Sequence, residues 1–277
     1  MLFGRLALEF SLQLIARDST RSLGRGGESM REAPTLGDKL AVPLLVVGAL
    51  LSAAGFVWSF TVAPLVNGAE VVPEMVAGQM VSNQLLFSQK IFYFHVPVAM
   101  CAFIALVFTF VYSILFLARR DAKYDRRACV ATEVSLVFAF CVMATGVPWT
   151  RFEWGVWWTW DPRLTTFLIL CLMLIGYFVL RAAFEGNEKR EVYASVFALV
   201  MCVDAPICFM ITRLVPSSLH PVVFRTDGGM TPEMLAGMLM ALFGMLAIAY
   251  GMYRLRVRQQ DMAARIEALK DQLEELD

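Results

Sequence analysis

His95 and His220 are the only two histidines in the 277-residue chain, and each borders an apolar run instead of lying deep within one. Neutral imidazole is a strong ligand for iron and other transition metals. Between them, residues 149–163 hold five of the six tryptophans: Trp149, Trp154, Trp157, Trp158 and Trp160, interrupted by Gly155. Indole is rigid and flat, carries one N–H donor and suits the boundary between membrane and water, where an ordinary aromatic belt distributes one or two per helix end. Five so close together read as a ledge for a large flat ligand. Two imidazoles approaching from opposite sides would fill both axial positions of a haem iron while the macrocycle lies against the indoles.

Charged residues near this stretch add to the picture. Asp161 and Pro162 form the pair that starts a helix, a carboxylate accepting from first-turn N–H groups and a ring suited to the next position. Shaping the junction is therefore the main role expected of Asp161. Arg151, Arg163, Arg213 and Arg225 have the guanidinium group that binds carboxylates, such as haem propionates, through two donors, although arginines at such places also face lipid headgroups. Asp204 is set inside an apolar run two residues before Pro206, which removes a backbone donor. An acid at that depth faces a bundle interior, either to support loosened backbone or to relay a proton or ligand.

Six apolar runs are needed to carry these residues, at about 40–62, 96–117, 128–147, 164–180, 192–212 and 232–253. Each has the ~17 to 25 residues a helix needs to cross a bilayer. The expected fold class is all-α: a polytopic membrane bundle of six transmembrane helices, with a tryptophan-rich loop between the third and fourth. Lysine and arginine set its direction. Residues 1–39 carry six, the connections after the second and fourth runs carry five and three, and the tail carries five; the alternate connections carry one, two and two. That asymmetry puts both termini in the cytoplasm and the tryptophan loop and both histidines on the periplasmic side.

Three divisions follow: an extension at 1–39, a membrane domain at 40–253, and a charged helical tail at 254–277. Residues 2–16 suit an interfacial amphipathic helix followed by a flexible Gly/Ser-rich stretch, and no signal peptide is expected. In the tail, Met262, Ile266, Leu269, Leu273 and Leu276 repeat every four and three residues, the seam of a short coiled coil or of a helix lying on the membrane or a neighbour.

Composition excludes several classes. At 58% hydrophobic and 17% charged, with zero net charge, the chain belongs in a membrane and lacks the basic cluster of a nucleic-acid binder. Its six cysteines, Cys101, Cys129, Cys141, Cys171, Cys202 and Cys208, form no C-x-x-C pair and read as small buried hydrophobes, so neither a zinc site nor a covalent haem attachment is implied. No phosphate-binding loop, serine-hydrolase elbow or His-Glu zinc pattern is present.

The stretch Trp154-Gly155, Trp158, Trp160-Asp161, with Trp157 beside them, resembles the tryptophan-rich signature of haem-handling membrane proteins of cytochrome c assembly. Among these the chain most resembles the CcmC family. Phe92-Tyr93-Phe94-His95-Val96-Pro97 is similar to the family's first ligand segment, Val203-Asp204-Ala205-Pro206 to its Asp-x-Pro helix, and Ser218-Leu219-His220 to its second ligand segment, over about residues 40–253. His220 is followed by Pro221, where the family pattern continues with a more polar residue.

The resemblance implies that His95 and His220 are axial ligands of a b-type haem and that Trp154, Trp157, Trp158, Trp160 and Asp161 form its platform. It also implies a binding and handover protein of the bacterial inner membrane, not an enzyme. The expected partners are a CcmE-like periplasmic haem chaperone, CcmA-, CcmB- and CcmD-like subunits of an ABC-type complex, and membrane lipid. Two alternatives stand beside it. A cytochrome c haem synthase of the CcsA type is expected to carry further helices and another histidine pair, and a haem permease would use the six helices as a route. An electron-transfer cytochrome would place histidines mid-membrane, where this chain has none.

Overall fold

The computed structural model describes residues 35–64, 74–76, 79–81, 89–215, 218, 220 and 230–274. The proposed amphipathic helix at 2–16, Arg225 and Leu276 lie outside them. Residues 1–39 separate as one unit and residues 40–277 as another. Six helices cover most of the described chain: α1 (Leu36–Thr61), α2 (Phe92–Arg119), α3 (Ala122–Trp154), α4 (Pro162–Ala183), α5 (Arg190–Leu214) and α6 (Pro232–Glu274). All six are long and apolar enough to cross a membrane, as the apolar runs predict, and the chain is a multi-pass membrane protein. A small antiparallel hairpin, β1 (Glu74–Val76) with β2 (Gln79–Val81), is added in the connection between α1 and α2.

Helix α2 is central and packs against α3, α5 and α6, while α4 lies against α5 and α3. The core they share includes Leu106, Phe138, Leu170, Leu174, Tyr177 and Met201. Some of the polar groups inside are satisfied across helices, since the bilayer offers no water for them. Thr109 and Thr132 pair their hydroxyls at 3.1 Å, and Ser135 donates to the Ala102 carbonyl at 3.0 Å.

Between α1 and α6 the packing depends on small residues. Gly48, Ser52, Gly55 and Ser59 of α1 are buried, as are Gly237, Ala241, Gly244 and Gly251 of α6. A methyl group added at Gly48 would come 2.6 Å from the Gly244 carbonyl oxygen, and one at Gly251 would come 2.8 Å from that of Ala41. Backbones this close gain dispersion contacts and tolerate no side chain at the crossing.

The end of the bundle formed by the starts of α3 and α5 and the end of α4 is tied by charge. Arg181 grips the Asp125 carboxylate through both terminal nitrogens, at 2.6 and 2.8 Å, with side chains only 13% and 3% exposed. Beside it Arg126 meets Asp261 at 2.9 Å and Arg256 meets Glu133 at 2.6 Å, so α6 is bound to α3 well past Tyr253. Helix α6 continues unbroken for 43 residues, making the charged tail an extension of the sixth helix. Met262, Ile266, Leu269 and Leu273 of the seam are all exposed.

At the other end of the bundle, two more helix boundaries differ from the apolar runs. Helix α2 starts at Phe92, after a 3-10 turn at Gln89–Ile91, so His95 lies within its first turn and Pro97 beyond it. Helix α3 does not stop at Val147 but passes Pro148 and ends at Trp154, where Gly155 adopts a left-handed φ of 73°. Hydropathy falls at Trp149 because indole and guanidinium are interfacial groups, whereas the helical hydrogen bonds continue until a glycine ends them. Trp149, Arg151 and Trp154 are therefore helical, and the connecting loop is 155–161.

Candidate functional site

The opposite end of the bundle gathers the candidate residues. Its first fastening is Lys90, a buried ammonium that donates to the Ser59 carbonyl at 2.6 Å and to that of Ala63 at 2.5 Å. It thereby closes the C-terminal end of α1, whose last carbonyls lack helical partners. The 3-10 turn and the start of α2 are fixed to α1 by this contact, and with them His95.

From the first turn of α2 the His95 ring reaches α3. Its Nδ1 lies 2.9 Å from the Thr145 hydroxyl oxygen. Thr145 also donates to the Cys141 carbonyl at 2.8 Å, the back-bond typical of threonine in a helix. Trp149, one turn further on, meets the imidazole edge-on at 5.5 Å between ring centres. Gly146 leaves room for the ring, since a methyl group there would come 3.0 Å from its Cε1.

The loop after α3 presents the tryptophans. Arg151 donates to the Gly155 carbonyl and stands 5.9 Å from the centre of the Trp157 ring. Trp157 and Trp160 are 62% and 73% exposed. Trp158 is partly buried and meets Trp160 edge-on at 6.0 Å, while Trp154 is partly buried at the end of α3. Large exposed indoles in this loop offer a flat apolar surface among the described residues.

Asp161 caps α4 as its type and the following proline predict, accepting from the Arg163 N–H at 2.9 Å. It has a second function that the sequence does not announce. The Ser218 hydroxyl reaches both oxygens of this buried carboxylate, at 2.9 and 3.2 Å, and accepts from the His220 backbone N–H at 3.3 Å. Through Asp161 the segment carrying the second histidine is tied to the junction of the tryptophan loop and α4.

The Ser218–Asp161 contact brings the segment of His220, 125 residues from His95 in sequence, to the same end of the bundle. Arg213 stands 5.3 Å from the centre of the Phe209 ring. Asp204 occupies another level. Its neighbours are Cys171 of α4 and Cys208 of α5, and its Oδ2 is buried without a hydrogen-bond partner among the described residues. Pro206 lies within α5. All six cysteines are free thiols, four buried and two partly so.

Thr145 and Gly146, the contact of Trp149 with His95 and the hydrogen bonds of Ser218 thus add to what the sequence picks out. Thr145, Gly146 and Trp149 share a helical face with spacings of one and four, a signal masked by Pro148 and the drop in hydropathy. Ser218 leaves no local trace, because its role depends on a carboxylate 57 residues away. Among the described residues no three His, Cys, Asp or Glu groups cluster to hold a bare metal ion. His95, the indoles of the loop and the nearby guanidinium groups are of the chemical types that suit haem, an iron already held by a porphyrin bearing carboxylates.

Relatives described as "Heme exporter protein C" include one from Rhodobacter capsulatus, 30% identical over 238 residues that cover 83% of this chain and 90% of the relative. One from Paracoccus denitrificans is 34% identical over 166 residues, 59% of this chain and 61% of the relative. Another from Escherichia coli is 25% identical over 215 residues, 78% and 81% of the two chains. The family profile for CcmC, described as "Heme exporter protein C", matches residues 29–272, and the chain belongs to that family.

Proposed function

We propose that the chain handles haem for cytochrome c biogenesis, holding it as cargo between His95 and His220 at one face of the membrane and giving it to a partner. The observation that carries this reading is the tie of the His220 segment, through Ser218 and Asp161, to the junction of the tryptophan loop and α4, at the end of the bundle that also holds His95 and the exposed indoles of Trp157 and Trp160. When bound, haem supplies an iron with two open axial positions. His95 and His220 fill them, Trp154, Trp157, Trp158 and Trp160 cover the macrocycle, and Arg151 and Arg163 neutralise propionates. Asp161 holds the platform to the second ligand segment, while Asp204 and Pro206 support the interior behind it. Noncovalent, b-type binding suits cargo, because nothing but coordination and burial has to be undone at release.

The asymmetry of the basic residues supports a cytoplasmic position for both termini, with this end of the bundle in the periplasm of a bacterial inner membrane. On that side the partner is a CcmE-like haem chaperone, and CcmA-, CcmB- and CcmD-like subunits complete an ABC-type complex. The divisions at 1–39, 40–253 and 254–277 then separate an extension, the haem-handling domain and a cytoplasmic tail. Handover instead of synthesis is favoured because no second histidine pair exists to hold haem elsewhere.

The test is spectroscopic. Protein purified after expression with ample haem is expected to show the low-spin spectrum of bis-imidazole iron. His95→Ala and His220→Ala together are expected to abolish it while the helical signal in circular dichroism stays. A spectrum unchanged in the double variant sinks the assignment. Covalent haem on a co-expressed apocytochrome, without a chaperone, would favour a synthase.

A further inference from the structure

We infer that Thr145 is a positioning residue for His95: its hydroxyl holds the imidazole in the tautomer with the proton on Nδ1, so that Nε2 is the nitrogen presented to iron. The inference rests on reading His95 as an axial ligand, but the tautomer is a property of the chain by itself.

A threonine hydroxyl has one proton. Two carbonyl oxygens, which only accept, lie within reach of Thr145 Oγ1, that of Cys141 at 2.8 Å and that of Val142 at 3.2 Å. The proton is therefore directed into the α3 backbone, and Oγ1 faces His95 with a lone pair. At 2.9 Å a neutral imidazole satisfies that lone pair only by donating from Nδ1. Its own lone pair is then on Nε2.

Sterics point the same way. The ring rests on the bare backbone at Gly146, where an added methyl group would lie 3.0 Å from Cε1 and 3.7 Å from Nδ1 but 4.0 Å from Nε2. Trp149 closes a further side, edge-on to the ring. With Nδ1 engaged by Thr145 of α3, Nε2 is the nitrogen left to coordinate.

The chemical character of the support matters too. A carboxylate behind a ligating histidine draws its proton and makes it a stronger electron donor. A hydroxyl whose proton is already committed draws far less. His95 is thus held in orientation while remaining an ordinary neutral imidazole, which suits an iron that must later be released.

Having two histidines makes the test direct. The full-length chain, haem-free in lipid nanodiscs and labelled with 15N-histidine, gives two imidazoles, and His220→Ala assigns the remaining one. Solid-state NMR is expected to show a protonated, pyrrole-type Nδ1 and an unprotonated, pyridine-type Nε2 at His95. Thr145→Ser should preserve this pattern, and Thr145→Val should yield mixed tautomers. After loading, Thr145→Val is expected to lose haem to apomyoglobin about 10-fold faster, at the low end for removing a group behind a metal ligand, with Thr145→Ser restoring the rate.

A proton on Nε2 in the unaltered chain would overturn the inference. So would a Thr145→Val variant matching it in both tautomer and haem loss. If the unaltered chain took up no haem, the reading of the site would fail while the tautomer measurement still decided the role of Thr145.

Discussion

The two ends of this bundle are built from different materials. At the end holding Asp125, oppositely charged side chains bind α4 and α6 to α3: Arg181 with Asp125, Arg126 with Asp261, Arg256 with Glu133. At the end holding His95, the cross-links are hydroxyls, backbone carbonyls and one lysine: Thr145 with His95, Ser218 with Asp161, Lys90 with the last carbonyls of α1. The first arrangement consumes charge in fixed pairs. The second leaves imidazoles and indoles presented to whatever arrives. A clamp at one end thus permits a receptive surface at the other, since rigidity need not be supplied by the groups that bind.

If that division is real, damage to the two ends should register in different measurements. The largest effect on stability is expected from Asp125→Ala, which strands the Arg181 guanidinium in a nearly buried position. About 3–5 kcal/mol is the usual loss when one partner of a buried pair is removed. Reversible unfolding in detergent and urea would show it, and Asp125→Ala with Arg181→Met should recover much of the loss. The surviving folded protein should retain its haem spectrum. Loss of haem at full stability would erase the distinction between the ends.

Ser218→Ala comes next. It removes a donor from the buried Asp161 carboxylate and frees the His220 segment, for about 1–3 kcal/mol. Here the haem spectrum should weaken along with stability, because one hydrogen-bonded unit serves both. Smallest in stability is Trp157→Ala with Trp160→Ala, expected to fall within about 0.5 kcal/mol because both rings are exposed. Haem dissociation, followed by transfer to a scavenger, should nevertheless accelerate severalfold. A large fall in melting temperature for this pair would mean that the indoles are structural packing instead of a receiving surface.

How much of this was legible in the sequence depended on the range of each interaction. Apolar runs locate all six helices, because lipid imposes its thickness on the chain. The Asp161-Pro162 junction is legible as well, since a cap involves only adjacent residues. The end of α3 is not, because the solvent preference of Trp149 and Arg151 changes several residues before the backbone does. Thr145 becomes apparent only when the helix is carried through Pro148, which places it one turn from Trp149. Ser218 and Lys90 are out of reach altogether: a serine near a histidine and a lysine near an interface are ordinary until the fold brings distant oxygens to them.

One feature of the long sixth helix extends beyond its own packing. The Trp58 indole donates to the Glu233 carbonyl at its first turn, and Arg256 and Asp261 grip α3 roughly 35–40 Å further along the axis. With no proline between these points, α6 is a stiff rod moored at its first turn and again about two-thirds of the way along. Any torque on its protruding 262–274 stem would be conveyed along the axis to the mouth of the bundle where haem is expected to dock, without any intervening joint to absorb it.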